Sequence, residues 1–373
     1  MKGEKKLGIG LIGAGAIMRL SHIPTVLKSD QAQLIGIYDR DRTRADALTK
    51  EFGAGRSFES LEALLDCREI DAVIIATPNS KHEEAAVAAA QAGKHILCEK
   101  PLALNIQSAT RIVDAAQEAK VVLQVGFNQR FWGQVQIAKT LLESGLIGDV
   151  QAFRSVLSEK ASAYPAASKY RYDLEQSGGA TIIDLTVHRI DLARYLVGEM
   201  TGVFAELKHS VLPEKVDDNV WLLSRFANGA RGCLSSDRFS PAIGDGTDLY
   251  GTQGTIHIAS ETLNPFHAAP LAVYTERSAR DLPDILQEAH YPEAWWNSFE
   301  GGWIKIFPPR KSAYVSQFSD FCSSILESRQ PLVTGIDGLR AQEVVQGAYI
   351  SMNQGRWVDL PLPADAPFEL PAY

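Results

Sequence analysis

From Leu7 to about Val125, short apolar runs alternate with longer stretches whose apolar positions recur at helical spacing. The runs Leu7–Ile12, Ala32–Tyr38, Ala72–Ile75, His95–Cys98 and Val121–Val125 predict strands. Between them, Ile17–Lys28, Arg42–Phe52, Leu61–Leu65, Lys81–Ala92 and Asn105–Glu118 predict helices. This alternation points to a doubly wound parallel α/β sheet. After Gly126 the pattern changes. Gly133–Ser144 predicts a helix, and a longer helix follows Gly178-Gly179 and runs to about Val197. The runs Val150–Leu157, Val203–Val211, Asn219–Phe226, Arg231–Ser236 and Thr247–Gly251 predict strands, with Asn228-Gly229 as a turn between two of them. They predict a C-terminal α+β domain built on a large open, mostly antiparallel sheet.

The change of pattern divides the chain into residues 1–126 and 127–373, and 373 residues are more than one hydrophobic core usually organises. Glu261 to Lys311 is rich in Pro, Trp and Gly without a clear period, and predicts long loops. Helical patterning returns at Ser316–Glu327 and Gly338–Asn353, and the Pro-rich end from Leu360 predicts an irregular tail. A formal net charge of −8 without a Lys/Arg block gives no footprint for a nucleic-acid backbone. Cys67, Cys98, Cys233 and Cys322 lack CxxC spacing, which fits reduced thiols in a cytoplasm rather than a disulfide framework or zinc site. The apolar start is short, Gly-rich and followed by Arg19 and His22, so it reads as a strand and not a leader. No run of about 18 apolar residues suggests a membrane span.

A literal GxGxxG sits at Gly8 to Gly13, but its glycines fall inside the first strand. A dinucleotide loop needs the strand before the glycines and a helix after them, so that backbone N–H groups and the helix N-terminus meet the pyrophosphate. Gly13-Ala14-Gly15-Ala16-Ile17-Met18 satisfies that order, with Met18 in place of the third glycine. Asp39, 24 residues beyond Gly15 at the end of the second strand, stands where an acid binds the adenosine ribose and favours NAD. Arg40 beside it offers adenine stacking or a 2′-phosphate contact, which keeps NADP open.

Three further motifs occur in order: Ala76-Thr77-Pro78-Asn79, Glu99-Lys100-Pro101, and Gly178-Gly179 leading to Asp184 and His188. With the glycine loop they resemble the Gfo/Idh/MocA family, which includes glucose-fructose oxidoreductase and inositol dehydrogenase. The resemblance covers nearly the whole chain. It implies an N-terminal Rossmann domain, a substrate cleft beside the nicotinamide, and an open sheet that assembles homodimers or homotetramers. It also implies that Thr77, Asn79 and His82 lie along the cofactor, that Glu99 and Lys100 stand beside the nicotinamide ribose and substrate, and that Asn128 and Arg130, in a segment at the domain junction, belong to the cofactor-binding residues.

Oxidising a secondary alcohol requires a base for the hydroxyl proton and a donor for the developing alkoxide. Asp184 and His188 are four residues apart, on one helix face. His188 suits the general base, because imidazole titrates near neutrality. Lys100 suits the oxyanion donor and would lower the pKa of His188 by repulsion. Asp184 would bind a hydroxyl and orient either the substrate or His188. His209, His257, His267 and His290 are scattered without metal-ligand spacing, so no metal is expected. Trp295, Trp296 and Trp303 suit a sugar-stacking wall, ordinary loop packing or a subunit interface.

These features predict an NAD(P)-dependent sugar, cyclitol or polyol dehydrogenase. Two other classes share the architecture: an NAD-dependent glycosidase that oxidises its sugar transiently, and a non-catalytic sugar-sensing regulator.

Overall fold

The computed structural model describes residues 6–160, 170–240, 245–259, 268–287 and 298–371. The N-terminal strands are β1 (Leu7–Ile12), β2 (Ala32–Tyr38), β3 (Arg56–Ser57), β4 (Ala72–Ile75), β5 (His95–Cys98) and β6 (Leu123–Val125). They form one sheet, ordered β3-β2-β1-β4-β5-β6 and parallel at every pairing. The helices between them are α1 (Ile23–Lys28), α2 (Arg42–Phe52), α3 (Leu61–Leu65), α4 (His82–Gln91) and α5 (Ile106–Glu118). A right-handed crossover rule and helices on both faces explain why β1 and β4 are buried along their whole length. Alternate residues of β4 serve two cores. Val73 and Ile75 join Ala86 of α4 and Ile112 of α5, whereas Ala72 and Ile74 join Ile23 of α1 and Ala45 of α2. The strand order reverses between β1 and β4, which puts a ligand crevice beyond their carboxyl ends.

The chain continues through α6 (Gly133–Glu143), β7 (Val150–Ser158), α7 (Leu174–Ser177) and α8 (Val187–Val197) into β8 (Met200–Lys208), β9 (Asn219–Phe226), β10 (Arg231–Asp237), β11 (Asp245–Gly251), β12 (Gly254–Ala259), β13 (Leu271–Thr275), β14 (Gly302–Ile306) and β15 (Val358–Asp359). The nine strands of the second sheet run β14-β13-β12-β11-β7-β10-β9-β8-β15. β7 and β10 pair in parallel; the other pairings are antiparallel. Burial alternates along β9 and β10, so one face packs inward and the other carries exposed side chains such as Trp221 and Leu223.

Four sequence readings need correction. The stretch expected to be long loops contains β13 and β14, which extend the second sheet. Each is only five residues long and is set among Pro, Gly and Trp, so neither gives a period of its own. The single helix expected over Ile17–Lys28 opens with a π turn at Met18–His22, and the helix after Gly178-Gly179 likewise opens with a π turn at Ile182–Thr186. β12 was not expected at all; it pairs β11 with β13 and has no strong apolar run.

Helix Ala313–Leu326 returns to the first sheet and buries Phe318, Phe321 and Cys322 against the β1 and β2 side. Helix Gly335–Gln354 follows, its start fixed by a capping box in which Thr334 accepts from Asp337 N while the Asp337 carboxylate accepts from Thr334 N. Thr334→Ala should lower the free energy of unfolding by about 1 kcal/mol, read from the denaturant midpoint at unchanged slope.

Candidate active site

A cavity of about 260 Å³ lies where the turns after β1, β4 and β5 face the start of α8. Its lining includes Ile17, Thr77, Glu99 and Lys100 on one side and Asp184 and His188 on the other.

The loop after β1 is built for close approach. Gly13 has φ +101°, and a Cβ there would stand 2.6 Å from the carbonyl oxygen of Ala76. At Gly15 a Cβ would meet nothing nearer than 4.0 Å, so that face of the loop is open. Helical backbone begins at Ala16 and Ile17, and Met18 is fully buried beneath it. The Asp39 carboxylate accepts from Ala14 N at 2.7 Å and from Asp41 N at 2.8 Å, which fixes the acid against the loop. Arg40 is exposed next to it.

Thr77, Asn79 and His82 all line the cavity, but they spend their polar atoms differently. Thr77 Oγ1 is buried without a hydrogen-bond partner among the described residues. Asn79 Nδ2 donates to Ser177 O at 2.8 Å and so ties this turn to the end of α7. The His82 ring sits between Pro101 O at 2.8 Å and Thr77 O at 3.0 Å, clasping the two turns together. Burial pushes His82 below its usual pKa, against the pull of those carbonyls.

Glu99 takes a hydrogen bond from His22 Nε2 at 2.8 Å and one from Lys100 N at 3.2 Å. Burial pushes its carboxyl up, but the His22 hydrogen bond and the charges of His22 and Lys100 outweigh it and hold Glu99 below the usual carboxylate range. Lys100 Nζ donates to Asp184 Oδ1 at 2.5 Å and to Asp184 O at 2.9 Å. Arg238 bonds Asp184 Oδ2, and Arg171 Nε lies 3.3 Å from the same oxygen. Against the cost of burial, the charges of Lys100, Arg238 and Arg171 hold Asp184 well below the usual carboxylate range.

The π turn does not part Asp184 from His188, for both line the cavity. Among the described residues His188 Nδ1 is buried without a hydrogen-bond partner, and the edge of the ring meets Phe127 at 6.1 Å. Burial first, then the charge of Lys100, pushes His188 well below the usual imidazole range, with Asp184 opposing. His188 is therefore neutral at neutral pH and able to accept a proton. In an NMR titration its ring resonances should shift only below the ordinary value of about 6.5. Lys100→Met should move that midpoint upward, because it removes a positive neighbour; a midpoint at the ordinary value in the unaltered protein would refute this.

Asn128 and Arg130, which the resemblance places at the junction, do not line the cavity; Gln129 between them does. Arg130 is buried in a bidentate pair with Asp191 at 2.8 and 2.6 Å, bonds Asp337 at 2.9 Å and lies 4.8 Å from the Tyr195 ring centroid. Its guanidinium thus joins the junction to α8 and helix Gly335–Gln354, and two carboxylates draw it away from the cavity. Trp303 stands 54% exposed on the second sheet, packed on Tyr274 and outside the cavity lining, while Trp295 and Trp296 lie outside the described residues.

The cavity also receives Gln129, Glu159, Tyr170, Arg171 and Tyr314, none of which sequence reasoning singled out. The dense run Tyr170-Arg171-Tyr172 just before Gly178-Gly179 was a usable signal. Tyr314 and Glu159 reach the site only through tertiary folding. Among the described residues no group of three His, Cys, Asp or Glu side chains is placed to hold a metal, and no helix is long and apolar enough to cross a membrane.

Residues 7–127 match the oxidoreductase family with an NAD-binding Rossmann fold, and residues 135–257 match the GFO/IDH/MocA C-terminal domain. The chain belongs to the Gfo/Idh/MocA oxidoreductases. Among curated members it is 28% identical to levoglucosan dehydrogenase of Pseudarthrobacter phenanthrenivorans, over 96% of this chain and 99% of that one. It is 27% identical to myo-inositol 2-dehydrogenase of Thermotoga maritima, over 94% and 98%, and 31% identical to 1,5-anhydro-D-fructose reductase of Ensifer adhaerens, over 66% and 74%. A solved levoglucosan dehydrogenase in complex with NADH and levoglucosan superposes with a TM-score of 0.80 at 27% identity, covering 96% of this family member and 100% of that chain.

The family's nucleotide fits the residues present here. The loop is open above Gly15, and three buried polar atoms at the cavity, Thr77 Oγ1, Gln129 Oε1 and His188 Nδ1, have no hydrogen-bond partner among the described residues. Buried polar atoms without partners are costly, and a polar ligand relieves that cost.

Proposed function

We propose that this chain oxidises a secondary alcohol of a sugar, cyclitol or related polyol, or reduces the matching ketone, with NAD as the redox partner. The carrying observation is the convergence of Lys100, Asp184 and neutral His188 on one cavity at the switch point of the nucleotide sheet. Gly13, Gly15, Ala16 and Ile17 would hold the pyrophosphate, with Asp39 on the ribose; Arg40 would lie by the adenine. Thr77, Asn79, His82, Glu99 and Lys100 would line the nicotinamide end. When bound, NAD supplies the acceptor for two electrons and a hydrogen.

In oxidation His188 takes the hydroxyl proton as the C–H bond breaks, and in reduction it returns that proton. An ammonium has three N–H bonds, and Asp184 takes two from Lys100. The third is left for the substrate oxygen, where it stabilises developing negative charge. Asp184 acts here as the anchor that aims Lys100, because Lys100, Arg171 and Arg238 already claim its carboxylate.

Residues 1–126 form the nucleotide domain in this reading and residues 127–373 the substrate domain, with helix Ala313–Leu326 folded back onto the first. The outward face of the second sheet, with Trp221, Leu223 and Trp303 exposed, pairs copies of the chain. Light scattering should report a dimer or tetramer; a monomer at micromolar concentration would oppose that pairing.

The test of the function incubates purified protein with NAD or NADP and a panel of cyclitols, aldoses and anhydrosugars, following absorbance of the reduced nicotinamide. Reduction of NAD in preference to NADP supports the reading. Bound cofactor with glycoside cleavage and no net reduction would replace it with the transient-oxidation chemistry.

A further inference from the structure

Asp217 and Asp218 lie in the connection between β8 and β9, outside the cavity lining, and both are fully buried. Asp217 Oδ1 accepts from Ala180 N at 2.8 Å and Oδ2 from Ile182 N at 2.7 Å. Its backbone carbonyl accepts from Thr181 N at 3.2 Å and from Thr181 Oγ1 at 2.7 Å. One residue therefore holds all three positions at the start of the helix that carries Asp184 and His188. The first N–H groups of a helix have no partner within it, and Thr181 provides no side-chain cap of its own. Just upstream, Gly179 has φ +142°, and a Cβ there would collide with the Tyr349 hydroxyl, so the chain turns sharply into this helix.

Asp218 works at the other end of the same constellation. Its carboxylate accepts from Ser210 N, Val211 N and Leu212 N at 2.6 to 2.8 Å, which rigidifies the loop after β8. Its carbonyl accepts from Arg238 N at 2.9 Å, and the Arg238 guanidinium bonds Asp184. The dipeptide thus sets both the helix bearing Asp184 and the backbone of a cation that holds Asp184.

The geometry points to Asp217 as a positioning residue for the acid–base pair: by gripping Ala180, Thr181 and Ile182 it sets Asp184 against Lys100 and keeps His188 beside them. This inference rests on the proposed roles of Lys100 and His188. Burial pushes the Asp217 carboxyl up to about 6, so at neutral pH it is ionised and both oxygens accept. Asparagine at this position keeps one acceptor oxygen and replaces the other with an amide NH2, a donor that opposes a backbone N–H.

The experiment compares full-length protein with Asp217→Asn at pH 7.5 by three readouts: hydrogen exchange across residues 179–188, the NMR titration midpoint of His188, and steady-state kinetics with NADH affinity measured separately. The expected result is faster exchange confined to that segment, a His188 midpoint moved upward as it leaves Lys100, and kcat lowered about 10- to 100-fold with NADH affinity within about twofold, since small misplacements at a reacting centre carry that cost. Unchanged exchange, or an unmoved His188 midpoint, would overturn the assignment. So would loosened exchange with full kcat, or kcat lost only in step with NADH binding.

If the unaltered protein turns over nothing on the panel, the functional reading falls, and exchange with the His188 midpoint still decides whether Asp217 positions the pair. Should Asp217→Asn fail to fold, Thr181→Val removes only the hydroxyl bond to the Asp217 carbonyl. It should shift the same readouts in the same direction by a smaller amount, and no shift would overturn the assignment.

Discussion

Lys100→Met should reduce kcat/KM by about 1,000-fold or more, because it removes the charged donor that meets the substrate oxygen as negative charge develops there. Methionine nearly preserves the length of the side chain and its apolar stem while deleting the ammonium. NADH affinity should change much less than kcat/KM, since in the proposed reading the glycine loop and Asp39 hold the pyrophosphate and ribose and Lys100 meets only the nicotinamide end. Kinetics paired with NADH titration checks this. A variant that keeps a tenth or more of the activity would remove Lys100 from the chemistry and leave it as the partner of Asp184.

Asp184→Ala should be the most damaging change to stability among the site residues. Its carboxylate is nearly buried and lies among Lys100, Arg171 and Arg238. Deleting it leaves those positive charges facing one another in a desolvated pocket, for which a loss of about 3–5 kcal/mol is expected. The sign with pH follows from the depressed carboxyl. Stability from Asp184 is fully present above the unfolded carboxylate value of about 3.9 and is lost as pH falls through the lower folded value, so the variant should differ most from the parent near neutrality and least in strong acid. Denaturant unfolding at pH 7 and at pH 3 tests it. A variant as stable as the parent at pH 7 would mean that the three cations are balanced by groups other than Asp184.

The N-terminal sheet was legible because every strand from β1 to β5 except the two-residue β3 is a short apolar run, and their bounds from β1 through β5 coincide with the runs. The glycine register was legible too, for Gly13 alone combines the end of β1 with a backbone angle that demands glycine. β12, β13 and β14 were hidden because a strand half exposed on an open sheet needs only two or three apolar residues, too few to show a period. Lys100, Asp184 and His188 were found by motif and do meet at one cavity. What no spacing could foretell is the way Asp184 is shared among three cations, since Arg238 sits 54 residues and Lys100 84 residues away along the chain. Arg130 shows the converse. Its motif pointed toward the cofactor, but the partners that claim it, Asp191 and Asp337, lie on helices whose convergence only the fold determines.

The most direct test of the central claim follows the hydrogen itself. Protein is incubated with NAD and carbon-deuterated myo-inositol, levoglucosan and aldoses, and the nicotinamide is then examined by mass spectrometry. Deuterium is expected on the reduced nicotinamide ring with at least one of these sugars, and none when Lys100→Met replaces the parent. Cofactor that binds but carries no deuterium with any member of the panel would contradict that claim.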